Sequence, residues 1–129
     1  VDPAPAQPPD LDRLIANLTA SVPEVLHALV VSADGIPLAG AHLMADADQA
    51  DRLAAITSGL ISLARAGARI ADRGDVIQAL ITMEQGTLVV MAIGAAASLV
   101  VLTTAADLDL VGYEMTMLVA AAGRLAGPE

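Results

Sequence analysis

The chain has no cysteine, no tryptophan and no phenylalanine, and Tyr113 is its one aromatic residue. It also has no lysine, so its six basic residues are all arginine. Charged residues make up 16 % of it, against about 25 % in a typical domain. Each shortage excludes something. Without cysteine there is no disulfide framework, no thiol nucleophile and no CxxC zinc or redox site. Without lysine there is no Walker A phosphate loop and no Schiff base. The fifteen acidic residues give a net charge of −9. A nucleic-acid binder must neutralise phosphates with a basic face, and this chain would be repelled.

What remains is apolar. Of 129 residues, 56 % are hydrophobic, above the usual ~45–50 %. The length fits one domain, and the wealth of Leu, Ile and Val excludes an intrinsically disordered chain. The apolar share exceeds what a solitary small globule needs, so part of it points to an interface. The first nine residues, VDPAPAQPP, lack the apolar core of a signal peptide and read as a disordered Pro-rich arm. A single domain over 10–126 and a short tail at 127–129 follow. Residues 85–106 carry no charge and match the ~20 residues that span a bilayer. No basic flank orients this stretch, and Gly94-Ala95-Ala96-Ala97-Ser98 interrupts it. Two buried strands, 88–93 and 99–104, explain it without a transmembrane segment.

Helical spacing of Leu11, Leu14, Ile15, Leu18 and Val22 predicts a first helix over 10–21, with Asp10 as its N-cap and Pro23 beyond its end. Val25–Ser32 is a strand-length apolar run. Ala33-Asp34-Gly35 turns it into a return strand at Ile36–Gly40, which Pro37 confines to a sheet edge. A long helix spans about Asp46–Asp72, capped by Asp46 or Asp48. Residues 75–84 alternate, with Ile77, Ala79, Ile81 and Met83 on one face. After the two charge-free strands, Asp107 or Asp109 caps a last helix. Its apolar stripe is Leu108, Val111, Met115, Leu118, Ala122 and Leu125, and Gly127-Pro128 ends it. The order is α-β-β-α-β-β-β-α. Hairpin-joined strands between helices imply an α+β fold with a mainly antiparallel sheet, covered by helices on both faces.

The middle helix is the most informative segment. At about 100° per residue, Leu53, Ile56, Leu60, Leu63, Gly67 and Ile70 share an arc expected to face the sheet. Asp51, Ser58, Arg65, Arg69 and Asp72 form a narrow polar arc. Between them lie Ala55, Gly59, Ser62 and Ala66. These small residues would let a second copy's helix approach closely, and symmetric self-pairing is the commonest form of association. One reading leaves these flanks as plain exposed helix, where Ala is at home because its propensity is highest; the composition excess favours the other, in which the expected dimer interface is Ala55, Gly59, Ser62 and Ala66, extended by strand addition at Gln78 and Thr82.

No catalytic or metal constellation emerges. His27 and His42 are neither an i, i+4 pair nor accompanied by cysteine. Asp46, Asp48 and Asp51 lack the glycine and terminal glutamate of a calcium loop and read as helix capping. No GxSxG motif is present, and the glycines are scattered singly. The chain reads as a non-enzyme without cofactor.

Three stretches carry a resemblance. They are His27–Gly40 (HALVVSADGIPLAG), Asp51–Arg69 (DRLAAITSGLISLARAGAR), and Val76–Ile93 (VIQALITMEQGTLVVMAI) followed by Tyr113–Leu118 (YEMTML). In order and spacing they resemble the Roadblock / dynein light chain family in its bacterial branch. The loop Gly94–Ser98 departs from it, since relatives usually carry a more polar turn. The resemblance implies a five-stranded antiparallel sheet with the middle helix on one face and the terminal helices on the other. It also implies a homodimer through the middle helix and third strand, and a cytoplasmic, non-catalytic regulator or scaffold of a small Ras-like GTPase. Any membrane association would be peripheral, through partners. On that reading Asp51, Ser58, Arg65 and Arg69 face the GTPase, through electrostatic docking rather than as an arginine finger. The rival reading is a small-ligand sensory module on a similar helix-covered sheet, with His27 as its buried polar handle.

Overall fold

The computed structural model describes residues 8–125. The expected 127–129 tail, the Gly127-Pro128 helix stop and most of the N-terminal arm lie outside them. Helix α1 (Pro8–Ser21) leads into β1 (Val25–Ser32) and the short β2 (Pro37–Ala39). A 3₁₀ turn (Ala41–Leu43) precedes α2 (Ala47–Ala71), and β3 (Gln78–Met83), β4 (Gly86–Ile93), β5 (Ala97–Thr103) and α3 (Asp109–Leu125) complete the chain. The charge-free stretch holds β4, a turn and the whole of β5. Helix α1 starts earlier than the sequence suggests, with Pro8 and Pro9 in its first turn. Their missing N–H groups cost nothing there, and Asp10 lies inside that turn rather than at the cap. Asp46 is the N-cap of α2, its side chain accepting from the Asp48 N–H at 3.0 Å.

All strand pairs are antiparallel, in the order β2-β1-β5-β4-β3. The two edges are thus β2, blunted by Pro37 as expected, and β3. One face of the sheet packs on α1 and α3 through Ile15, Leu18, Val30, Leu99, Val101 and Met115. The other packs on α2 through Leu29, Val31, Leu88, Val90 and Val100. Alternation along the strands sends successive side chains to opposite layers. That is why β1, β4 and β5 are apolar on both faces.

Two glycines fix the ends of β2. Gly35 and Gly40 have φ of 85° and 92°, where a side chain is strained. A Cβ on Gly40 would collide with the Ala28 carbonyl oxygen. The Gly40 N–H donates to Asp12 Oδ1 at 2.8 Å, and His42 Nδ1 lies 3.5 Å from that same oxygen. His42 therefore ties the 3₁₀ turn to α1. A bulge in β1 between Val25 and His27 leaves His27 half-buried opposite Leu102.

Candidate functional site

Helix α2 meets the sheet on a different side from the one its bulk suggested. Its buried residues are Ala50, Ala54, Thr57 and Ile61, spaced four, three and four along one face. The arc of Leu53, Ile56, Leu60, Leu63, Gly67 and Ile70 is rotated away from the sheet. Leu53 and Leu60 are half-buried at its margin. Leu63 and Ile70 are 74 % and 88 % exposed, and Ile56 is also exposed. The physical reason is distance. Alanines let α2 sit close to the sheet, and the Gly35 turn lies beside it: a Cβ added at Gly35 would stand 3.4 Å from Ala55 Cα and Ser58 Cβ. Leucines at those positions would hold the helix off.

The polar side of α2 is fastened. Ser58 Oγ donates to the Ala33 carbonyl at 2.7 Å. The Arg65 guanidinium donates to the carbonyls of Gly94 and Ala95 at 3.2 and 3.4 Å. These acceptors belong to the β1–β2 and β4–β5 turns, which meet at one end of the sheet through the Ala33 N–H to Ala96 carbonyl bond of 2.9 Å. Of the residues expected to face a partner, Ser58 and Arg65 thus serve the fold, while Asp51 and Arg69 are exposed. Ala55, Gly59 and Ser62 are exposed and Ala66 half-buried, with Gly59 open to solvent at its Cα. They lie on the crest of α2, opposite its buried face. Although α2 has the length and composition of a membrane span, its packed side and its anchored flank make it an element of this domain.

The opposite flank of α2 has no such anchors. Helix α2 packs on β1, β2, β4 and β5, with at most marginal contact to β3. The substantial neighbour of β3 is β4 alone. Register places Ala79 and Ile81 opposite Val90 and Leu88, so alternation puts Ile77, Ala79, Ile81 and Met83 on the α2 face, as their spacing predicted. There Ile77 is 78 % exposed, and Ile81 and Met83 are exposed too. Gln78 and Thr82 are exposed on the other face of the same strand. The outer hydrogen-bonding groups of β3 complete an unpaired edge. A bare helix flank and a bare strand edge thus lie on the same face of the sheet, both apolar.

The remaining concavities offer little chemistry. One cleft, about 520 Å³, lies between the end of α2 and the β4–β5 turn. Its charged lining is Arg65, already engaged, and Asp75. A second, about 260 Å³, includes His27 beside Thr19 and Met44. Among the described residues, no group of three or more His, Asp or Glu side chains gathers as a metal site would require. The carboxyl of exposed Asp34 is held below its ordinary 3.8 mainly by the Ser32 hydroxyl at 2.7 Å.

Comparison with known proteins agrees with this architecture. The Roadblock/LC7 domain model matches residues 11–103. A Roadblock/LC7 domain from Streptomyces avermitilis is 37 % identical, with 85 % of this chain and 92 % of that one covered and a TM-score of 0.77. At the level of fold, a structure of MglB in a tetrameric arrangement is 20 % identical, covering 98 % of this chain and 97 % of that one with a TM-score of 0.81. Gliding protein MglB from Thermus thermophilus is 21 % identical, with 98 % of each chain covered and a TM-score of 0.74. No curated protein sequence matches the chain.

Proposed function

The chain belongs to the Roadblock/LC7 family, and from that premise we propose that it is a homodimeric, non-catalytic regulator or scaffold of a small Ras-like GTPase. The observation that supports this reading is the pair of bare apolar surfaces on one face of the sheet, the free flank of α2 and the edge of β3. A second copy related by a two-fold axis covers both at once. Its β3 adds to this β3, extending the sheet, and its α2 lies beside this α2 on that extended sheet. Ile56, Leu60 and Leu63 then form the helix seam, and Gln78 and Thr82 flank the strand seam. Ala55, Gly59, Ser62 and Ala66 lie along the crest beside the seam. The small side chains there leave the two crests as a shallow saddle bordered by Asp51 and Arg69. We assign that saddle to the GTPase, and the protein to the cytoplasm, where such a partner works.

The test pairs two measurements. Sedimentation of the full chain should give about 26 kDa, twice the 13.0 kDa protomer. A small Ras-like GTPase of the same organism should then bind it in one nucleotide state and not the other. Equal binding of both states, or of neither, would sink the partner assignment. Faster hydrolysis on binding identifies a regulator, and unchanged hydrolysis a scaffold.

A further inference from the structure

A second apolar stripe lies on the far side of the molecule. In α3 the buried residues Val111, Met115, Leu118 and Ala122 face the sheet. Leu110, Tyr113 and Met117 point outward and are 49 %, 60 % and 50 % exposed. With Ala120 and Arg124 they follow the three-four spacing of a coiled-coil seam. Beside the stripe a groove of about 220 Å³ runs between α1 and α3, lined by Leu14, Leu18, Met117 and Ala121, with Glu114 and Arg124 among its polar residues. Neither of those two charges has an ion-pair partner among the described residues.

The stripe complements itself. Glu114 and Arg124 lie at equal distances on either side of Val119. If a second α3 packs antiparallel about a two-fold axis at Val119, the Glu114 of each copy faces the Arg124 of the other. The same register sets bulky Met117 against Ala120 and Ala121. It also brings each Arg124 to the ring of the other copy's Tyr113, within reach of a cation–π contact. Charge, size and stacking agree on one alignment.

We propose that α3 is a second self-association surface, occupied by the α3 of another copy in this antiparallel register. It is separate from the α2 and β3 seam and rests on that seam only for stoichiometry: two dimers joined through α3 make a tetramer. The net charge of −9 opposes any self-association, so the experiment is run at about 0.15 M salt, where the Debye length is about 8 Å.

Sedimentation of the full chain with rising concentration should show a species near 52 kDa, four times 13.0 kDa. Met117→Glu should remove it and leave the dimer, with an unchanged circular dichroism spectrum. Glu114→Arg and Arg124→Glu should each weaken the larger assembly by about 2- to 30-fold, the range for two exposed ion pairs. The double exchange should restore it. Tyr113 is the sole intrinsic fluorophore, and its emission should change as dimers join. A wild-type chain that stops at 26 kDa up to about 100 µM, where a Kd near 10 µM would show, and stays at 26 kDa in Met117→Glu overturns the proposal and leaves the dimer intact, whereas a 26 kDa species that falls to 13.0 kDa in Met117→Glu supports the α3 pairing and overturns the α2 and β3 seam. A 52 kDa species that survives Met117→Glu, or a double exchange no tighter than the single variants, also overturns the proposal. A dimer-only chain whose GTPase binding is lost in Met117→Glu assigns the stripe to that partner instead.

Discussion

Replacing Leu63 by Gln tests the helix seam with little disturbance of the protomer. Leu63 is 74 % exposed in the isolated chain, and Gln is nearly as good a helix former as Leu. The folded protomer should therefore change by no more than about 0.5 kcal/mol, as surface substitutions do. The seam loses far more. Burying a whole leucine side chain contributes about 1.5–3 kcal/mol. The part still exposed in the protomer accounts for about 1–2 kcal/mol of that on the same scale. Two-fold symmetry counts each residue twice, so dimerisation weakens by about 2–4 kcal/mol, or roughly 30- to 700-fold in Kd. Sedimentation velocity over a dilution series reads that shift directly, and circular dichroism confirms that the helices persist. Ile61→Ala is the opposite control. Ile61 is buried under the same helix, so its truncation should cost about 2–5 kcal/mol of folding stability. If Leu63→Gln leaves the Kd unchanged, the assignment of this flank to a second copy is wrong, however well the protomer is described.

Three further outcomes follow from local geometry. Gly40→Ala should destabilise the protein by at least about 1–3 kcal/mol through backbone strain alone, because its Cβ would also collide with the Ala28 carbonyl; urea unfolding measures it. Arg65→Ala should speed amide exchange across the β4–β5 turn, since the guanidinium bonds to Gly94 and Ala95 hold that turn against α2. For Asp34 the folded pKa is depressed, so its contribution is present above the ordinary 3.8 and is lost as pH falls through the lower folded value. Ser32→Ala should raise the Asp34 pKa toward 3.8 in an NMR titration, and an unmoved titration would reject the hydroxyl as the cause.

The sequence carries the order of elements, the Pro37 edge, the capping Asp46 and the pair of strands that imitates a membrane span. Those features depend on local chemistry: turn residues, alternation and run length. The facing of α2 does not. Its bulkiest arc is the natural candidate for the core, and in a lone helix on a sheet that inference would hold. Here the arc of Ala50, Ala54, Thr57 and Ile61 wins, because close approach to the backbone of the sheet favours small residues over large ones. The same spacing was visible in the sequence, but nothing local says which of two apolar arcs a sheet will accept. The fastening of Ser58 and Arg65 was equally hidden. Their acceptors, the carbonyls of Ala33, Gly94 and Ala95, lie 25 to 30 residues away in the chain. Side-chain type alone marked them as surface polar residues free to meet a partner.

With β4 as its one substantial neighbour, β3 is the least supported strand of the sheet. Elements with few buried apolar contacts open first, so this strand sets where the domain begins to fray. On the proposed seam, the missing support arrives from outside the chain and obeys mass action. Above the dissociation constant, each tenfold rise in protein concentration then adds about 1.4 kcal/mol to the apparent stability of the assembled form. Abundance becomes a structural variable: a cell that makes too little of the protein also makes it more open to proteolysis.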